Sequence, residues 1–143
     1  MNMEDGEFRQ AMAVLESYNL QLETISRQVR LLQVSLEETT RARESLKALN
    51  DAKEGDEILI PVGASAFVPV RVTGEKKALV NIGNRISAEK SIDEAVTFME
   101  TNGKELSEAL RNAIAALEEI ETRASELSDA IQHEYQNRQD SVQ

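Results

Sequence analysis

From Glu7 to about Asn50 the chain contains neither Gly nor Pro, and its apolar residues recur at spacings of three and four. With Phe8, Leu15, Leu22, Val29 and Leu36 at heptad position a, the residues at d are Ala11, Tyr18, Ile25, Leu32 and Leu46. Thr39 at d, and Arg43 and Asn50 at a, are the exceptions. This is the seam of a coiled coil. At about 1.5 Å per residue such a helix would extend roughly 65 Å, too long to fold into a small globule.

The C-terminal third repeats the pattern. "SIDE", Ser91–Glu94, predicts a capping box, with Ser91 at the N-cap and Glu94 returning the bond from N3. Val96, Leu110, Leu117 and Ile131 then occupy a, Ile92, Met99, Leu106, Ala113, Ile120 and Leu127 occupy d, and Gly103 and Ala124 fill the remaining a sites. This helix is expected to run to about Arg138. Two helices of similar length joined by a compact middle predict an antiparallel hairpin. Facing residues should then have numbers that sum to about 142, which sets every a residue against a d residue: Leu15 with Leu127, Leu22 with Ile120, Leu32 with Leu110. Large then meets small, with Tyr18 facing Ala124, Ala11 facing Ile131 and Val29 facing Ala113. The same register sets Thr39 against Gly103 and Arg43 against Met99, a weakly packed layer expected to be soft or bent.

Between the helices, residues 56–90 change period. "EILIPV", "FVPVRV", "KKALVNI" and "RISAEK" read as four strands, separated by Gly63–Ser65, Thr73–Glu75 and Gly83–Asn84, and so as two consecutive β-hairpins. Pro61 and Pro69 cannot donate to a ladder and belong on edges or at bends. Some 35 residues of strand cannot cover both of their own faces and edges. Copies or relatives are therefore expected to cover them, with Ile58, Ile60, Val62, Phe67, Val68, Val70, Leu79 and Ile82 as the oligomer interface. The expected fold class is α+β: a long antiparallel two-helix coiled-coil hairpin with two central β-hairpins.

Composition agrees with an elongated chain. Only 3% of the 143 residues are aromatic and there is no Trp, which leaves little bulk for a compact core. The absence of Cys excludes disulfides, thiolate metal sites and Cys nucleophiles. "MNMEDGEFRQ" has neither a basic n-region nor an apolar h-region, and no apolar run is long enough to span a bilayer, so a soluble cytoplasmic protein is expected. The net charge of −10 is concentrated in residues 91–143, with 4 basic and 12 acidic side chains. Such a surface repels phosphate backbones and argues against nucleic-acid binding.

No catalytic constellation is present. His133 is the only histidine, at an exposed c position without companions at metal-ligand spacing, and no metal is expected. Glu37–Glu38 and Glu118–Glu119 lie on exposed helix faces, without the enclosing pocket that acid–base catalysis needs. Gly63, Gly74 and Gly83 are isolated turn residues and form no phosphate-binding loop. Neither an enzyme nor a cofactor is expected.

The block "LIPVGASAFVP", followed by "VNIG" and "AEKSIDEA" between two heptad helices, resembles prefoldin, and specifically its alpha-class subunit of archaeal type, in which two hairpins replace the single hairpin of the beta class. The chain departs from the family pattern after "IG", where Asn84, Arg85 and Ile86 stand in place of a small residue and aromatics. The resemblance implies a single prefoldin-like domain over residues 1–143, with helices at 7–50 and 91–138 and hairpins at 56–90. It further implies a heterohexamer of two alpha and four beta subunits, whose hairpins form a β-barrel platform carrying six coiled coils. Their tips would hold unfolded polypeptides and deliver them to a group II chaperonin without ATP hydrolysis. A coiled-coil scaffold or adaptor without holdase activity is the alternative.

A tip that holds unfolded chains needs exposed, adaptable apolar surface where seam packing is incomplete. The ends of the two helices offer it. The expected substrate-binding residues are Phe8, Met12, Leu15, Ile131 and Tyr135, with Met1, Met3, Val14, Leu20 and Val142 extending the surface. Phe8 faces Glu134 in the register, a poor seam pair that should leave its ring partly open.

Overall fold

The computed structural model describes residues 3–142. The order is α1 (Asp5–Asp51), β1 (Glu57–Gly63), β2 (Ala66–Arg71), β3 (Lys77–Gly83), β4 (Ile86–Ser91) and α2 (Ile92–Val142). Two long helices and two antiparallel strand pairs thus make up the α+β architecture expected from the sequence. Contacts divide the chain into a terminal unit, Met1–Val34 with Ser107–Gln143, and a central unit, Ser35–Leu106.

In the terminal unit, every a and d residue of the two helices from Phe8 to Leu32 and from Leu110 to Arg138 is buried or half-buried, while the positions between them are mostly exposed. Val29, Ala113 and Ala124 are its buried apolar residues. These include the small partners assigned to Val29 and Tyr18, so small side chains let the helices approach where the larger ones need room. Asp5 and Arg138 meet across the helices at 2.6 Å, and their numbers sum to 143. The antiparallel register derived from the heptads is the one the helices adopt.

The central unit keeps that register. Thr39 Cγ2 lies against Gly103, and Asn50 Nδ2 donates to Asp93 Oδ1 at 2.7 Å. Its interior is small: Val80 of β3, with Ile92 and Ala95 from the first turn of α2, is buried. β4 passes directly into α2. Ser91 Oγ accepts from the Glu94 backbone N–H at 3.1 Å, as an N-cap should. The reciprocal bond of a full capping box is absent among the described residues. Ser91 is still the last residue of β4, paired with Lys77, so its backbone belongs to the strand pair.

The C-terminus of α1 has no basic residue in its last turn to satisfy its free carbonyls. Lys76, from the connection between the hairpins, supplies the charge instead. Its Nζ donates to Leu49 O at 2.9 Å, Asn50 O at 3.1 Å and Ala52 O at 2.5 Å. One ammonium therefore caps the helix and ties down the start of β3. Both hairpin turns use two residues in the left-handed region, Ala64 and Ser65 at φ 48° and 61°, and Asn84 and Arg85 at the same values. These are two-residue hairpin loops that follow the strand twist. Asn84 and Arg85, where the sequence departs from the family pattern, thus keep the geometry of the first turn.

The Thr39–Gly103 layer is thin. Thr39 Oγ1 donates to Ser35 O of its own helix at 2.8 Å, and among the described residues Arg43 Nε is buried without a partner. A Cβ at Gly103 would meet only Thr39 Cγ2, at 4.0 Å, which is ordinary contact. Gly103→Ala should therefore stabilise the fold by about 0.5–1 kcal/mol through helix propensity, measured by chemical denaturation. In the unsubstituted chain, amides around Thr39 and Gly103 should exchange faster than those around Leu32 and Leu110; equal protection would refute a soft layer.

Candidate functional site

Two surfaces carry more exposed apolar area than the fold can cover. The first is the hairpin of β1 and β2. Ile58 pairs with Val70 and Ile60 with Val68 on one face, while Leu59 pairs with Pro69 and Pro61 with Phe67 on the other. Both faces are thus apolar. Ile58 and Ile60 are half-buried, but every residue of β2 is exposed. Burying an aliphatic side chain of this size is worth about 1.5–3 kcal/mol, so a surface of this kind favours a partner strongly.

Of the residues expected at the interface, Val62, Phe67, Val68, Val70, Leu79 and Ile82 are exposed. Leu79 is the most open of them, beside the Lys77–Glu89 ion pair of 3.3 Å. Sequence reasoning missed Leu59 and Ile86, both more than half exposed. Leu59 lies inside the unbroken run "ILIPV", where no alternation distinguishes one face from the other.

The prolines limit how a partner strand can add. Val72 N donates to Asp56 O at 2.8 Å, and alternation along the antiparallel ladder then makes Ile58↔Val70 and Ile60↔Val68 the hydrogen-bonded pairs. Glu57, Leu59 and Pro61 on β1, and Phe67, Pro69 and Arg71 on β2, direct their backbone nitrogens to the two outer edges. Each edge therefore lacks one donor, at Pro61 or Pro69, which weakens indiscriminate strand addition.

The second surface lies in the terminal unit. Phe8, Met12, Ile131 and Tyr135 line one open groove of about 730 Å³, with Asp129 and His133 on its rim. Met12 and Tyr135 are more than half exposed, whereas Phe8 and Ile131 are half-buried. A second groove of about 620 Å³ gathers Met3, Ala11, Val14, Tyr18 and Leu127. Four of the five expected substrate residues thus share one groove. Leu15 is half-buried at its a position and lines neither groove. Val14, Leu20 and Val142 are exposed as expected, and Met1 lies outside the described residues. His133, read from the sequence as a solvent-facing residue, is exposed but stands at the groove.

The last seam layer differs from the open pairing expected of Phe8 and Glu134. The Arg138 guanidinium covers the Phe8 ring, 4.6 Å from its centroid. It also donates to Asp5 Oδ1 at 2.6 Å, Met3 O at 3.0 Å and Glu134 Oε1 at 3.1 Å. Glu134 is buried at d, and its Oε2 has no partner among the described residues. Burying a carboxylate is costly unless it is paired, and Arg138 provides that pairing from the next turn. The Glu134–Arg138 spacing was visible in the sequence; the reach of Arg138 to Phe8 and Asp5 was not.

The hydrogen bond and positive charge of Arg138 hold the Asp5 carboxyl below its usual 3.8. A depressed carboxylate pKa contributes above the unfolded value and is lost as pH falls through the folded one. The Arg138–Asp5 contact should therefore be intact at neutral pH and release below about pH 4. Nuclear magnetic resonance of the Phe8 ring and the Arg138 Nη1 protons should report that transition with a midpoint under 3.8, and Asp5→Asn should abolish it.

The comparisons with known proteins bear on the whole arrangement. The family model described as Prefoldin subunit matches residues 18–137. Prefoldin subunit alpha of Thermofilum pendens is 34% identical over 109 residues, covering 76% of this chain and 84% of its own. Prefoldin subunit alpha of Pyrococcus horikoshii is 34% identical over 113 residues, covering 78% and 76%. Among solved structures, a chain of filamentous PFD from Methanocaldococcus jannaschii matches with TM-score 0.63 at 27% identity, over 80% of this chain and 95% of that one. With its two hairpins between heptad helices, this chain belongs to the prefoldin family, as an alpha-class subunit.

Proposed function

We propose that the chain is a subunit of an ATP-independent holdase, which keeps unfolded polypeptides from aggregating and passes them to a group II chaperonin. One observation carries this reading: open, Met-bearing apolar grooves run along the half-covered seam near the helix ends. Seam residues hold the helices together, leaving Met12, Val14 and Tyr135 free to bind. Flexible thioethers and a ring with a polar tip suit clients of varied sequence. The site needs no bond-making chemistry, and the reading includes none.

The apolar strands of the hairpins take the other part of the work. Joined to a second alpha-class and four beta-class subunits, they would bury their apolar faces in a β-barrel platform and present several tips to one client. Several weak contacts on one frame yield avidity without any tight individual site. Residues 1–143 act in this reading as one family domain, in the cytoplasm; among the described residues, no helix is long and apolar enough to cross a membrane.

Removing residues 1–12 and 131–143 should abolish suppression of light scattering by a denatured protein while the hexamer keeps its mass. Full suppression by the truncated complex would overturn the tip assignment, and no suppression by the intact complex would favour a scaffold. The hairpin surface makes the converse prediction. Leu59→Ser with Phe67→Ser should lower the mass of the complex in light-scattering chromatography while helical circular dichroism of the chain persists.

A further inference from the structure

We infer that the tip of this subunit selects unfolded segments that combine apolar and positively charged residues, an inference that rests on the holdase reading above. The argument is the charge balance around the two grooves. Their rims carry three carboxylates, Glu7 and Glu126 at one groove and Asp129 at the other. None of the three is in an ion pair among the described residues.

The arginines nearby are already committed. Arg123, on the rim of the second groove, holds Glu119 at 2.7 Å. Arg138, beside Phe8 and Tyr135, holds Asp5 and Glu134 and stacks on Phe8. The three carboxylates are therefore without an ion-pair partner among the described residues, while the two arginines that line the grooves, Arg123 and Arg138, are held within the fold. Residues 3–18 and 123–142 together contain eight acidic side chains and three basic ones, Arg9, Arg123 and Arg138, of which Arg9 alone is in no ion pair among the described residues.

An occupant that placed Lys or Arg over these rims would gain attraction that the chain does not supply to itself. The long stems of Lys and Arg add apolar cover while their charged heads reach the rim. An acidic segment of the same apolar content would meet repulsion from the same three carboxylates. The rims thus filter by charge what the grooves accept by hydrophobicity.

The test uses the intact complex and fluorescein-labelled unstructured peptides of one length. They share the same apolar residues, and their polar positions are all Lys, all Gln or all Glu. Anisotropy should give about tenfold tighter binding of the Lys peptide than of the Gln peptide at low salt, with the Glu peptide weakest. The preference should fade as salt shortens the screening length to about 3 Å at 1 M. Glu7→Gln, Glu126→Gln and Asp129→Asn together should bring the Lys peptide down to the affinity of the Gln peptide. Should that variant not fold, the salt dependence of the intact complex decides.

Equal affinity for all three peptides, lost on Met12→Ser with Tyr135→Ser, would overturn the charge preference and leave the holdase reading standing. Binding of every peptide unaffected by Met12→Ser with Tyr135→Ser would remove this tip as the site and both readings with it. A folded basic protein bound as tightly as the Lys peptide would reduce the effect to plain electrostatic adhesion, and would also overturn the inference.

Discussion

The structure depends on the interlock of a and d residues across two antiparallel helices, and that interlock is thin. No large side chain is fully buried among the described residues. Two helices in contact can only half-cover each seam residue, because a core needs a third layer to close over it. Val29, Ala113 and Ala124 are buried where a small residue on one side of the seam lets the backbones approach; most of the rest of the seam remains half-open. A chain built this way holds its helices in register but has little interior left to hide other apolar residues. Its remaining hydrophobic surface must face either solvent or another molecule.

The two such surfaces differ in chemistry. The first hairpin is rich in β-branched residues, uncharged between Glu57 and Arg71, and stiff, with backbone donors interrupted at Pro61 and Pro69. Stiff aliphatic strands lose little side-chain entropy on contact and pack to native density, which suits lasting association. The grooves near the termini are lined by Met, Tyr and Phe and fringed by carboxylates. Flexible side chains fit many shapes but pay more entropy for each, and surface charges keep such a region hydrated when empty. The proposed division between a permanent interface and a reversible one follows from these compositions.

Much of this could be read from the residues alone. Period 3.5 gave the seam positions, β-rich runs punctuated by turn residues gave the strands, and antiparallel numbering paired Thr39 with Gly103. The misses share one cause. Lys76 caps α1 from a loop some 25 residues away, and Arg138 reaches Phe8 and Asp5 from the opposite end of the sequence. Long cationic side chains choose partners by position in space, which no local period encodes. Leu59 escaped because both faces of its strand are apolar, so alternation carried no information there. Half of the expected capping box was missing because Ser91 ends a strand and begins a helix at once.

The polar layer at Phe8 and Glu134 brings these points together. An apolar residue at 134 would have completed the seam, yet a carboxylate sits there, buried, with one oxygen unpartnered. Such a layer contributes less to holding the helices than Leu against Phe would, since the desolvation of Glu134 offsets much of what Arg138 returns. Local opening near the termini is therefore less costly than in the layers around Val29 and Ala113. It is also specific. Arg138 can satisfy Glu134, Asp5 and the Met3 carbonyl together only in one register, so the layer fixes alignment where apolar packing alone would tolerate a one-heptad slip. Weak in energy and strict in geometry, this layer keeps the ends of the helices aligned while letting the adjoining grooves adapt.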